Sequence, residues 1–464
     1  MTTNRYADDR PLPKRPALPR RFRDSPILQG IGAGLAAGLV TVSFRAALEG
    51  ADKLLRTALD FGSRRPWFIP LWFVLLLAAA GAVTLLLRWE PLISGSGIPQ
   101  VEGEMQDRIH QVWWRVLLAK FVGGVLTIGA GLSLGREGPS IQLGAMAGKG
   151  TSRLIGRGLS EEKLLTTCGA SAGLAAAFNA PLAGILFPLE EIHKRFSAQV
   201  LLSTMASSVT AGFISRLVFG PGPVFDLPAA PAMPLNQYGL VLLLGGLAGL
   251  VGAGYNFCVE KAQNLYDRIR LPYIKTALPF LLAGALGFVY PAVLGGGHGL
   301  VGQVTAGMAL SALLTLFAVK FLFSMASFGS GAPGGIFLPL LVLGALTGGI
   351  FSGLLSRLGL SNELPHFVVL GMAGLFAAIV RAPVTGIILI SEMTGSFSHL
   401  LTLSLVSLTA YIVAQRLRPE PIYDQLLHRL LRKKEAETTR PADVGEDAGK
   451  DASEDASEDM GKTE

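Results

Sequence analysis

The chain is 464 residues long, half of them hydrophobic and only 16% charged, with a formal net charge of +7. Soluble globular domains carry about a quarter charged residues, so that class is excluded. A bilayer core demands roughly 20 apolar residues per helical span, and several long stretches here contain no Asp, Glu, Lys or Arg at all.

In chain order, residues 1–25 form a basic, Pro-rich segment without an apolar core, which reads as a cytoplasmic arm and not as a cleavable signal peptide. Arg20, Arg21 and Arg23 precede the first apolar run, and Arg429, Arg432, Lys433 and Lys434 follow the last. Basic residues mark cytoplasmic flanks, so both termini are expected inside and the span count is expected to be even. Uncharged runs cover 66–87, 196–215, 227–259, 276–319, 321–356 and 393–415. Their many Gly and Pro interruptions predict short or broken helices buried in protein, because lipid satisfies no backbone polar group. Cys168 and Cys258 lie within apolar runs and read as packing residues. The segment 435–464 carries eleven acids and three bases and has the composition of a disordered cytoplasmic tail.

Shifting the chain by 200 residues aligns it with itself. Lys120-Phe121 falls on Lys320-Phe321, Gly129, Gly131 and Gly135 on Gly329, Gly331 and Gly335, and Pro139 on Pro339. Leu143-Gly144-Ala145 then meets Leu343-Gly344-Ala345 without a gap. At a shift of 202, Ala180-Pro181, Gly184-Ile185 and Glu190 meet Ala382-Pro383, Gly386-Ile387 and Glu392. The membrane part therefore divides into a first repeat over 26–220 and a second over 221–434. Duplicated halves are a transporter signature, with the substrate site where the halves meet. Identity alone leaves open whether the repeats are parallel or inverted.

Three copies of Gly-x-x-x-Pro precede apolar helical runs: Gly95-Ser96-Gly97-Ile98-Pro99, Gly135-Arg136-Glu137-Gly138-Pro139 and Gly335-Ile336-Phe337-Leu338-Pro339. Gly lets the backbone turn tightly and Pro is favoured in a first helical turn, so each reads as a helix N-terminus. Free N–H groups and a partial positive charge make such an end an anion cradle. Dipoles hold an ion that must be released each cycle better than a full Lys or Arg charge does in a low dielectric. Gly-rich helix starts also serve plain close packing.

These motifs, with the run from Gly173 to Phe187, resemble the anion-binding signatures of the CLC chloride channel and transporter family over about residues 21–431. The resemblance implies an all-α, polytopic membrane protein of two inverted repeats with tilted and re-entrant helices, working as a homodimer with one pore per subunit. It implies that the Ser96 hydroxyl, the Ile336 and Phe337 N–H groups and the Tyr423 hydroxyl bind chloride. Hydroxyls donate to an anion without adding charge. Glu137 corresponds to the gating and proton-accepting glutamate. An ionised carboxylate at a helix start competes with chloride for the cradle; protonated, it lets go. Glu191 corresponds to the internal proton-transfer glutamate of the exchangers. Adjacent helix positions point about 100° apart, so Glu190 and Glu191 cannot share a role, and the repeat pairing of Glu190 with Glu392 suggests structural acids. Gln100 stands where close relatives commonly carry an acid.

The expected function is chloride/proton antiport across the cell membrane. A passive chloride channel is the alternative, disfavoured by Glu191. Fluoride export is disfavoured by the Ser96 and Tyr423 patterns, and nitrate selectivity goes with Pro at the Ser96 position. An intramembrane hydrolase using Glu190, Glu191 or Glu392 is remote, with no HExxH motif and no Ser–His pair set by spacing. Chloride, protons, lipid and a second subunit are the expected partners. No cofactor, metal, nucleic acid or nucleotide-binding regulatory domain is expected.

Overall fold

The computed structural model describes residues 25–438 apart from 157, 195–196, 226, 228–232 and 361–363. Arg20, Arg21, Arg23 and the acidic segment from 439 onward lie outside the described residues.

Among the described residues the chain is all-α, its strand-like pairing confined to one isolated bridge. The first half holds α1 (Pro26–Arg64), α2 (Phe68–Trp89), α3 (Ile98–Met105), α4 (Trp113–Gly129), α5 (Glu137–Ile155), α6 (Leu159–Phe178), α7 (Pro181–Phe187) and α8 (Ala198–Phe219). The second holds α9 (Tyr238–Asp267), α10 (Pro272–Val289), α11 (His298–Thr305), α12 (Leu310–Gly329), α13 (Phe337–Arg357), α14 (Leu364–Val380), α15 (Pro383–Thr394) and α16 (Leu400–Leu417); α17 (Ile422–Thr438) closes the chain. Eight of the described helices are long and apolar enough to cross a bilayer. The uncharged run 276–319 is broken into α10, a single 3-10 turn at Pro291–Val293, α11 and the start of α12. This is the interrupted pattern that its Gly and Pro content predicts.

The repeat is carried in three dimensions by reciprocal hydrogen bonds. Gly135 and Gly335 exchange N–H···O=C bonds of 2.7 and 2.8 Å as an antiparallel bridge. Gly95 N–H donates to Gly331 O at 3.1 Å, and its copy Gly295 N–H donates to Gly131 O at 2.9 Å. Buried Lys120 Nζ donates to the carbonyls of Ile93 (2.8 Å) and Gly95 (2.6 Å); buried Lys320 Nζ donates to those of Val293 (2.8 Å) and Gly295 (2.6 Å). A pseudo-two-fold axis thus passes between Gly135 and Gly335. It reverses the chain direction, so α5 and α13 leave the bridge in opposite senses and the two repeats have inverted topology.

Small residues bring the helices together. A Cβ on Gly144 of α5 would collide with the Gly169 carbonyl of α6, and one on Gly169 with the Gly144 carbonyl. The same reciprocal exclusion holds between Gly344 of α13 and Gly371 of α14. Backbones in such contact gain dispersion energy that lipid-facing Leu cannot supply.

Glu190 and Glu392 lock the halves across the same axis. The Glu190 carboxylate accepts from Thr385 N (2.8 Å), Thr385 Oγ1 (2.7 Å) and Val384 N (3.4 Å) at the start of α15. The Glu392 carboxylate accepts from Ala183 N (2.8 Å) and Leu182 N (3.0 Å) at the start of α7. Each acid caps the repeat-related helix of the other half, satisfying N–H groups that a helix start leaves orphaned.

Candidate anion site

Three loops meet at the bridge. Gly97, at φ +96°, turns the chain into α3 in a left-handed conformation that glycine adopts without strain. Glu137 is the first residue of α5 and Phe337 the first of α13. Loop 95–97 is pinned to the third start by Gly95 N–H to Gly331 O (3.1 Å) and Gly334 N–H to Gly95 O (3.0 Å). A Cβ on Gly138 would overlap Ser96 Oγ, and one on Gly335 would stand 3.1 Å from Gly138 N, so both glycines are required by close approach. Pro99 and Pro139 lie buried in the first turns of α3 and α5.

Polar atoms converge here without protein partners. Ser96 Oγ, Tyr423 Oη and both carboxylate oxygens of Glu137 are buried and make no hydrogen bond of good geometry. The Glu137 and Leu338 N–H groups face the Glu137 carboxylate. Ile336 and Phe337 open α13, where the first N–H groups have no intrahelical acceptor. The Phe337 ring is walled by Phe376 (4.8 Å between centroids), Phe178 (5.3 Å) and Phe187 (6.0 Å), and Phe187 meets Tyr423 edge-on at 6.3 Å. Buried polar groups are ordinarily paired. Two hydroxyl donors beside free helix-start N–H groups suit an anion, and a carboxylate on a flexible stem in the same place suits a competitor for it. Arg136, at the N-cap of α5, turns the other way, into a cavity lined also by α1 and α11.

The loop bearing Ser96 is held by a buried polar network. Gln100 Nε2 donates to Ser94 O (2.8 Å), and Gln111 Nε2 donates to Gln100 O (3.2 Å) and Glu104 Oε2 (3.0 Å). Gln142 Nε2 donates to Gln111 Oε1 (2.7 Å) and Leu92 O (2.9 Å), and Lys149 pairs with Glu104. Gln100 therefore fastens its own loop with an amide donor, which an ionised acid at this position lacks. A cavity of about 110 Å³ reaches Ser96 past Gln100, Arg429 and Lys433.

Glu191 lies apart from this cluster. The apolar chain leading to Glu191 is interrupted twice: Asn179, at φ +56°, ends α6, Pro181 starts α7, and Pro188 leads into a π-helical turn, Pro188–His193. Proline at position 188 has no N–H for an α-helical bond, and π turns gather at functional sites. Glu191 is buried there with Oε1 unpartnered, whereas its neighbour Glu190 is committed to α15. Above Glu191, Lys194 Nζ bridges Glu102 (2.7 Å) and Asp424 (2.8 Å) at the surface. Partial burial pulls the Lys194 ammonium down, but its hydrogen bonds to Asp424 and Glu102 outweigh that and hold it above its usual range. Tyr423 stands within electrostatic reach of both Glu191 and Glu137. Sequence reasoning missed Asp424, Gln142, Gln111 and Lys149; the repeat match at Lys120 was the one available signal for a buried cation.

Among the described residues no group of three or more His, Cys, Asp or Glu is placed to hold a metal ion.

Comparison with known proteins gives a consistent result. Residues 77–415 match the family model described as voltage gated chloride channel. The chain is 39% identical over 426 residues to the H(+)/Cl(-) exchange transporter ClcA of Vibrio cholerae serotype O1 (strain M66-2), covering 87% of this chain and 89% of that relative. It is 36% identical over 431 residues to the protein of the same name from Klebsiella pneumoniae (strain 342), covering 90% and 91%. Among solved structures, a slow cyanobacterial Cl-/H+ antiporter superposes with a TM-score of 0.82 at 33% identity, covering 90% of this chain and all of that one.

Proposed function

Since the chain belongs to the voltage-gated chloride channel family, we propose that it is a secondary active transporter, not an enzyme, that exchanges chloride for protons. The observation that carries this reading is the convergence of three helix starts on two unpartnered hydroxyls and one buried carboxylate. In this mechanism chloride is held by Ser96 Oγ, Tyr423 Oη and the N–H groups of Ile336 and Phe337, with Gly95, Gly97, Pro99, Gly135, Gly138, Pro139 and Gly335 shaping the cradle. The ionised Glu137 carboxylate occupies the same cradle, against the Glu137 and Leu338 N–H groups, when chloride is absent. A proton removes its charge and frees the cradle, so each ion gates the other.

Protons reach Glu137 by a second route through Glu191, loaded from the Lys194, Glu102 and Asp424 cluster at the surface. Separate routes for the two ions allow exchange where a single pore would leak. The reading includes a first repeat over 26–220 and a second over 221–434, supported by the reciprocal hydrogen bonds. It also includes a homodimer in the plasma membrane with both termini cytoplasmic.

The test is a flux measurement in proteoliposomes with equal chloride on both sides and a tenfold proton gradient. Under exchange, the voltage at which net chloride flux stops moves away from zero. Under the passive channel reading it stays at zero.

A further inference from the structure

The cavity of about 110 Å³ that reaches Ser96 is walled by α9, α10, α12 and α17. Its charged residues are Lys275, Arg429 and Lys433 against a single acid, Asp267. All three cations lean on that one carboxylate: Lys433 Nζ at 2.8 Å and Lys275 Nζ at 3.3 Å share Oδ1, and Arg429 takes Oδ2. An adjoining cavity of about 480 Å³ shares Asp267, Arg429 and Lys433 and adds Arg418 and Arg432 against Glu260 and Glu420. Glu260 is itself bonded to Arg418. With His428 neutral, the mouth beside Ser96 holds five cations against three acids, a surplus of two positive charges. Lys433 is half exposed, so this surplus faces water.

The helix that carries this mouth also leads into its complement. α17 ends at Thr438, about 14 Å beyond Arg429 at 1.5 Å per residue. The sequence that follows, 439–464, lies outside the described residues and holds nine acids and three bases, a net of −6. Five of those acids, Asp451, Glu454, Asp455, Glu458 and Asp459, fall within 451–459, with no base among them. From residue 438 to residue 451 the chain can extend over about 43 Å, more than the way back to Arg429. Tethering turns a bimolecular encounter into a local one, so charge pairs that are weak singly act together.

We propose that the acidic run 451–459 docks on the basic mouth beside Ser96, its carboxylates over Lys433, Arg429 and Lys275, and competes there with the entering anion. A docked run cancels the surplus positive charge that otherwise concentrates anions at the mouth. Salt screens the contact and releases it, so entry is eased as ions accumulate. The effect on chloride entry rests on the reading of Ser96 as an anion ligand; the docking itself does not.

A carbodiimide joins a carboxylate to an amine only where the two touch, and mass spectrometry of the full chain in proteoliposomes reads the partners. Links from 451–459 to Lys433 or Lys275 are expected at about 10 mM salt, where charges act over about 30 Å, and are expected to vanish at about 1 M, where the range is about 3 Å. Links instead to Lys14 in the basic segment 1–25, links only between an isotope-labelled and an unlabelled copy of the chain, or no link at all overturn the proposal. The second measurement is flux from a variant with all five acids replaced, Asp by Asn and Glu by Gln. At low salt its half-saturating chloride concentration on the Ser96 face is expected to fall about tenfold, the low end of what a charged mouth gives. With gluconate added to high ionic strength it is expected to match the wild type. Equal chloride dependence of the two proteins at low salt overturns the competition. Links to Lys433 in a protein that moves chloride without protons sink the exchange reading and leave the docking standing.

Discussion

Replacing Glu191 by Gln separates the two ion routes. Gln keeps the volume of the buried side chain and removes its ability to carry a proton. The rings of Phe178, Phe187 and Phe376 pack on that of Phe337, and all four are buried, so the surroundings of the anion site are apolar. A charge crossing an apolar layer without a titratable station costs at least about 2.5 kcal/mol. At 1.36 kcal/mol per factor of ten, proton flux should fall by at least about 70-fold. Chloride should still pass, because Ser96 and Tyr423 are untouched and Glu191 makes no hydrogen bond to either. Simultaneous recording of chloride and proton flux from proteoliposomes reads both numbers in one experiment. Full coupling in Glu191→Gln would refute the assignment and move the role to another acid, Glu190 or Glu102. Equal loss of both fluxes would refute the idea of separate routes.

Glu137→Ala should abolish proton coupling and leave chloride flux, since nothing is left to be expelled and recaptured; chloride-driven proton movement persisting in that variant contradicts the gating role. Ser96→Pro should shift the permeation ratio from chloride towards nitrate, because a hydroxyl donor is lost beside the anion; an unmoved ratio means Ser96 does not line the site. Glu190→Ala and Glu392→Ala should each lower stability by about 1–2 kcal/mol, the worth of a helix cap. Thermal unfolding in detergent checks this, and an unchanged midpoint for both would show that the reciprocal caps contribute nothing.

The repeat and the helix starts were legible because they rest on local chemistry. Gly-x-x-x-Pro marks a first helical turn in all three copies, with a left-handed turn at Gly95 and Gly97, and the 200-residue shift needed only Lys120, Pro139 and their copies. The suggestion that Glu190 and Glu392 are structural agrees with their matched hydrogen bonds to α15 and α7. The sequence pattern did not place the break between α6 and α7, although Asn179-Ala180-Pro181 contains both a residue tolerant of positive φ and a helix-starting Pro. Its apolar character masked the turn. The Lys194 bridge joins Glu102 and Asp424 across 92 and 230 residues of chain, and the Lys149 network spans four segments. No local pattern encodes such meetings, because they depend on where whole helices cross. The purpose of Gln100 became readable only when its amide was seen to reach Ser94 O.

The central claim, that chloride and protons are exchanged, is tested most directly by loading proteoliposomes of the wild-type protein with high chloride, diluting them into low chloride at equal pH, and following external pH. The account predicts that chloride leaving down its gradient drags protons inward against the proton gradient that builds up, so the outside turns alkaline until the exchange is blocked or the chloride gradient is spent. Chloride efflux with a potassium shunt that leaves external pH flat, with no proton taken up, would contradict it.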